Sequence, residues 1–154
     1  MKKIISLVAS LTIIAGVCAA VLAYVDSITR EPIKATAAKN EAAAREAVLL
    51  GEKGFAEIGV SQSGYGGEIK LMGGFKEDGK TVISYKVLSA AETPGLGMKL
   101  TTPEFSSQFG GKDGTALKVK KDGGEIEAIT SATITSRAVC EAIADAQKKV
   151  KSEK

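Results

Sequence analysis

Between Lys3 and Asp26 the chain carries no charged residue, and the run from Ile4 to Val25 is dominated by Ile, Leu, Val and Ala. As an α-helix that run would span about 33 Å, enough to cross a bilayer core of about 30 Å. A cleaved signal peptide has a shorter apolar core, about 7–15 residues. A lipoprotein site needs a small residue where Val17 precedes Cys18. The sequence therefore predicts an uncleaved, single-pass anchor in the cell membrane (inner or cytoplasmic). Lys2 and Lys3 flank it closely, so the positive-inside preference places Met1 in the cytoplasm and the chain after Asp26 outside it. Arg30 and Lys34 stand on the far side, but Asp26 and Glu31 accompany them. Ser6, Ser10, Gly16 and Ala20 offer small residues for packing against other membrane helices.

The rest of the chain must do its work with a restricted set of side chains. At 154 residues there is room for one ordinary domain beside the anchor. The 21 basic and 18 acidic residues leave a net charge of +3, too small and too dispersed for a nucleic-acid binder. Two of the basic residues are Lys2 and Lys3, so the exported part is nearly neutral. The absence of His excludes imidazole metal sites and Ser-His-Asp or Cys-His catalysis. Two Cys are too few for a disulfide scaffold or a four-thiolate metal site, and no metal site is expected. Cys18 falls in the anchor and Cys140 in a later helical segment, so both read as small apolar residues and not as a disulfide pair.

Residues 26–51 read as an amphipathic connecting helix, with Pro32 suited to a first turn, an apolar stripe through Ile33, Ala37, Ala44 and Val48, and Gly51 as its stop. Glu68 to Phe75 reads as a strand, Glu77-Asp78-Gly79-Lys80 as a turn, and Thr81 to Ser89 as the returning strand. A second hairpin is predicted from Ala116–Lys120 across Lys121-Asp122-Gly123-Gly124 to Glu125–Ile129. From Thr133 or Thr135 to about Lys151 the pattern is helical, with Val139, Ile143, Ala146 and Val150 on one face. The fold class is α+β: an anchor over 1–25, a connecting helix over 26–51, and a small domain over 52–154 with antiparallel strands and flanking helices.

Two segments carry more than ordinary punctuation. Glu92-Thr93-Pro94-Gly95-Leu96-Gly97-Met98 combines a Pro-Gly turn pair with a second position lacking a Cβ. Such a loop lets backbone approach a flat ligand while Leu96 and Met98 supply apolar contact; it also suits a plain Gly-rich connection. Thr130-Ser131-Ala132-Thr133-Ile134-Thr135-Ser136 lies where a strand gives way to a helix. Helix N-termini present free N–H groups and a partial positive charge, which favour a phosphate. The hydroxyls add donors and possible modification sites, although Ser and Thr are equally the residues of a redundant N-cap.

Glu127-Ala128-Ile129-Thr130-Ser131-Ala132-Thr133 closely resembles the flavinylation motif of FMN-binding domains, Asp-x-x-Ser/Thr-Gly/Ser-Ala-Thr. The Glu92–Gly97 loop is similar to that family's second signature, which lies near the isoalloxazine ring. Gly64-Tyr65-Gly66-Gly67-Glu68-Ile69 is similar to a third, weaker feature. The anchor followed by Thr29-Arg30-Glu31-Pro32-Ile33 resembles the G subunits of Rnf electron-transport complexes more than the longer C subunits of the sodium-pumping NADH:quinone reductases. Glu127 departs from the usual Asp, and Ser131 from the commonest Gly; neither removes the acceptor hydroxyl.

The resemblance implies FMN joined covalently, through its phosphate, to Thr133 by a dedicated flavin transferase. It makes Glu127, Thr130, Ser131 and Ala132 the rest of the recognition motif. Tyr65, Glu92, Thr93, Gly95, Leu96, Gly97, Thr135 and Ser136 become candidate cofactor contacts. The implied role is a membrane-embedded flavoprotein that relays electrons among the other subunits of a Rnf-type complex coupling ferredoxin:NAD electron transfer to sodium or proton translocation. It would be a translocase subunit in electron transport and not an enzyme by itself. The alternatives are a stand-alone extracytoplasmic flavinylated carrier and a non-redox anchored binding module.

Overall fold

The computed structural model describes residues 2–152; Met1, assigned to the cytoplasm above, and the last two residues of the 52–154 domain lie outside the described residues. The chain divides into two compact units between Lys39 and Asn40, within the long helix α1, Lys2–Leu49. In the first unit the apolar stretch of α1 is exposed along its length, and it is long and apolar enough to cross a membrane. Pro32 sits in the interior of α1 and not in the first turn of a helix, the position for which the sequence suited it. A proline there removes one backbone bond, a local cost of about 3 kcal/mol, and the good helix formers Ala, Glu, Lys and Arg follow it.

The second unit opens with the last turns of α1, which close through left-handed Leu50 (φ 50°) and Gly51 (φ 80°). Three antiparallel strands follow in the order β1-β2-β3: β1 Gly54–Gly64, β2 Gly67–Lys76 and β3 Val82–Ala90. The sequence pattern anticipated β2 and β3 but not β1. That strand, GFAEIGVSQSG, mixes Gly and Ser among its apolar residues and lacks a β-branched run. Asp78 organises the β2–β3 turn, its carboxylate accepting from the Lys80 N–H at 2.7 Å, the Thr81 N–H at 2.8 Å and the Thr81 hydroxyl at 2.6 Å.

Helices cover both faces of the sheet. On one face Ile69, Leu71 and Phe75 of β2 join Ala138, Val139, Ala142, Ile143, Ala146 and Val150 of the C-terminal helix α3, Thr133–Ser152. On the other, Met72 and Ala56 pack with Ala44 and Val48 from the end of α1. The central strand is therefore buried on both sides, as a sandwiched strand must be. Gly59 sets the distance between β1 and α3: a Cβ there would lie 1.8 Å from the Ala142 carbonyl oxygen.

Between β3 and α3 the chain forms short turns around a three-ring cluster. Phe109 meets Tyr85 edge-on at 5.1 Å and Phe105 at 5.3 Å between centroids, with Phe105 on the short helix α2, Pro103–Ser106. The second hairpin is absent among the described residues. A 3₁₀ turn, Lys120–Asp122, is followed by Gly123 at φ 81°, and a single parallel bridge joins Val119 to Ile126. Leu117, Val119, Ile126 and Ile129 are all buried, so this segment follows the core instead of pairing with itself. The result is an α+β fold of the predicted class.

Candidate functional site

The Thr-rich segment is built as a strained turn feeding a helix. The Ala132 N–H donates to the Ile129 carbonyl at 2.9 Å, closing a turn in which Ser131 adopts φ 62°. A non-glycine residue in that region costs roughly 1–2 kcal/mol and is tolerated where the surroundings hold it. Ser136 holds it: its buried hydroxyl donates to the Ala132 carbonyl at 3.0 Å and accepts from the Ile129 N–H at 2.9 Å. The first helical hydrogen bond of α3 is from the Ser136 N–H to the Ala132 carbonyl. The N–H groups of residues 133–135 therefore have no acceptor in the preceding turn of helix.

The Pro-Gly loop comes to the same place. The Leu96 and Met98 N–H groups both donate to the Thr93 carbonyl, at 3.2 and 3.1 Å, around Gly95 at φ 76°. Glu92, only 6% exposed, ties three segments together. Its Oε1 accepts from the Gly66 N–H at 3.2 Å and its Oε2 from the Thr135 hydroxyl at 2.7 Å. Gly97 packs on that carboxylate so closely that a Cβ would lie 2.4 Å from Oε2.

These segments enclose a cavity of about 520 Å³ lined by Tyr65, Glu92, Thr93, Leu96, Gly97 and residues 131–135, within the range of about 300–1,000 Å³ usual for small-molecule sites. Tyr65, Leu96 and Ile134 are exposed and provide apolar wall. Thr133, half-buried, stands at the N-terminus of α3, and its Oγ1 accepts from the Lys121 ammonium at 3.4 Å. A flat, phosphate-bearing ligand fits this donor set: apolar surface for a ring system, free N–H groups for an anion, and a hydroxyl at the boundary.

Not every residue singled out in the sequence faces that cavity. Tyr65, Glu92, Thr93, Leu96, Gly97, Ser131, Ala132, Thr133 and Thr135 do. Gly95 shapes the loop without lining the cavity, and Ser136 is turned to the backbone. Glu127 and Thr130 line a neighbouring groove with Gln108 and Phe105. There the Glu127 carboxylate pairs with Lys120 at 2.8 Å, which lowers its pKa, and its N–H donates to the Gln108 side chain at 2.7 Å. The sequence reading did not single out Ile134, which lines the cavity, or Lys121, which does not line it but donates to Thr133 Oγ1. Ile134 lay inside the quoted motif, whereas Lys121 sits in a turn whose sequence carries no functional signal. Cys140 is a buried residue of α3 with its thiol pushed up to about 12 by desolvation, in keeping with a packing role; Cys18 and Cys140 are both free.

A family model of the FMN-binding domain matches residues 64–148. The chain is 29% identical to the G subunit of the ion-translocating oxidoreductase complex of Methanosarcina acetivorans, over 92% of each chain. It is 41% identical to the G subunit of the proton-translocating ferredoxin:NAD(+) oxidoreductase complex of Clostridium ljungdahlii, over 68% of this chain and 58% of that protein. The match to the crystal structure of the C subunit of the Na(+)-translocating NADH-quinone reductase from Parabacteroides distasonis has 27% identity and a TM-score of 0.47, covering 62% of this chain and 53% of that one.

Proposed function

We propose that this chain, which belongs to the FMN-binding domain family, is a membrane-anchored flavoprotein electron-transfer subunit of an ion-translocating oxidoreductase, the kind of complex for which its relatives are named. Residues 1–25 are its anchor and 26–51 the connecting helix. The flavin-bearing domain of 52–154 takes Ala44 and Val48 of that helix into its packing. The domain faces away from the cytoplasm, as Lys2 and Lys3 direct. Its partners are the other subunits of a Rnf-type complex, and the coupled ion is sodium or a proton.

FMN is held covalently, as a phosphoester of Thr133. The observation that carries this reading is the position of that hydroxyl: half-buried, at the first residue of α3, on the cavity that the Glu92–Gly97 loop completes. Attachment by a flavin transferase needs an activated donor. The Thr133 Oγ1 attacks the phosphorus of a flavin phosphoanhydride, the Oγ1–P bond forms, the anhydride P–O bond breaks, the displaced phosphate leaves, and the hydroxyl proton passes to solvent. Bound there, FMN supplies redox chemistry that no side chain of this chain carries. The chain's own contribution is placement. The free N–H groups of residues 133–135 would hold the phosphate, Leu96, Ile134 and Tyr65 would give apolar contact to the ring system, and Glu92 fixes the walls through Gly66 and Thr135.

Expressed with its transferase, the full chain is expected to retain flavin fluorescence in a denaturing gel, and Thr133→Val to abolish it. Persistent fluorescence in that variant overturns the attachment site. A colourless wild-type chain points to the anchored binding module instead.

A further inference from the structure

Among the described residues Lys121 is the basic side chain hydrogen-bonded to the Thr133 hydroxyl, and it differs from three basic residues near it in the chain or the fold. Lys120 is paired with Glu127, Lys112 with Glu125 and Arg137 with Asp122. Among the described residues Lys121 makes no ion pair with a carboxylate within 4.0 Å; its ammonium donates instead to Thr133 Oγ1 at 3.4 Å. The 3₁₀ turn Lys120–Asp122 holds it there. Gly123 closes that turn at φ 81°, and the Arg137–Asp122 pair, with contacts of 2.6 and 2.7 Å, fastens it to α3 one turn beyond Thr133.

We propose that Lys121 is a phosphate-binding residue of the flavin site, pairing with the charge of the phosphoryl group carried on Thr133. This rests on the assignment of Thr133 as the attachment point. An ester at Oγ1 places the non-bridging phosphate oxygens two bonds beyond an atom that the ammonium already reaches, within the swing of a flexible four-carbon stem. A lysine serves such a group as a mobile point charge, adding to the free N–H groups of α3 on another side of the same anion. Charge is the essential property, so Arg should replace Lys and Gln should not.

The test uses the full chain in detergent, co-expressed with the transferase, as wild type, Lys121→Gln, Lys121→Arg and Thr133→Val. In-gel fluorescence reports loading, and urea unfolding of loaded and unloaded protein reports how much loading stabilises the fold. The expected result is that loading raises the folding equilibrium constant about two- to fivefold less in Lys121→Gln than in wild type, the scale of an exposed ion pair. Lys121→Arg should restore the wild-type gain, and about 0.5 M salt should shrink the difference between wild type and Lys121→Gln. If Lys121→Gln fails to load, loading in Lys121→Arg supports the charge requirement, and failure in both overturns it. Equal gains on loading in wild type and Lys121→Gln also overturn it. Fluorescence in Thr133→Val would instead overturn the attachment site, a separate outcome.

Discussion

The Thr135 hydroxyl donates to Glu92 Oε2 at 2.7 Å in the protein interior, joining the start of α3 to the Pro-Gly loop. Both residues are buried, at 1% and 6% exposure. This bond makes one cavity of two segments that lie far apart in the chain.

Removing either partner should be felt in stability before it is felt in chemistry. Thr135→Val leaves Oε2 of a buried carboxylate without its donor and should lower unfolding free energy by about 1–3 kcal/mol. Glu92→Ala also strands the Gly66 N–H and should cost at least as much. Urea unfolding of the two single variants and the double variant should show coupling, because they share one interaction; simple additivity would contradict it.

Ser131 offers the opposite case. At φ 62° its Cβ opposes the turn, and Gly would relieve that strain at some cost in unfolded-chain entropy. Ser131→Gly should raise stability by about 0.5–1 kcal/mol and leave flavin loading intact, whereas Ser131→Val should lower stability by about 1–2 kcal/mol. Urea midpoints check the first claim and in-gel fluorescence the second.

Gly59 governs how closely α3 lies on the sheet. A Cβ 1.8 Å from the Ala142 carbonyl oxygen cannot be accommodated without moving the helix. Gly59→Ala should therefore destabilise the domain by about 2–3 kcal/mol. It should also slow flavin loading, because the displaced helix carries Thr133. Unchanged melting and loading together would contradict the close packing.

Alkaline pH should weaken the fold through two buried groups. Burial raises the Cys140 thiol from 9.0 to about 12 and holds the Tyr85 hydroxyl protonated well above its ordinary range. Groups whose pKa is raised by folding contribute fully below the unfolded pKa and lose that contribution as pH climbs toward the folded value. Stability should be level below about pH 8 and fall progressively above about pH 9, with a shallower fall in Cys140→Ala. In a Cys18→Ser background, iodoacetamide at pH 8 should leave Cys140 unmodified until urea is added.

Much of this architecture was legible locally. The uncharged run before Asp26 specifies a helix that needs no partner to satisfy its backbone. Asp78-Gly79 between two alternating runs specifies a hairpin whose turn is closed by the Asp78 side chain. The apolar face of Val139, Ile143, Ala146 and Val150 specifies α3. The stretch around Lys121-Asp122-Gly123-Gly124 carried the same kind of signal as the first hairpin, yet Val119 and Ile126 were drawn into the core and Asp122 was taken up by Arg137. Turn chemistry there was obeyed, and strand pairing was not.

The site divides along the same line. By itself, the order of side chains determined which residues could hold a phosphate and a flat ring: hydroxyls at a helix start, and a Gly-rich loop with Leu96. Only the tertiary structure decided that Thr133 and Thr135 face the cavity while Ser136 braces the turn, that Glu92 is a strut between Gly66 and Thr135, and that Lys121 reaches the Thr133 hydroxyl oxygen. Those outcomes depend on α3 docking against β1 at Gly59 and on a loop crossing from β3. Such distances are set by packing between residues remote in sequence, and no local pattern encodes them.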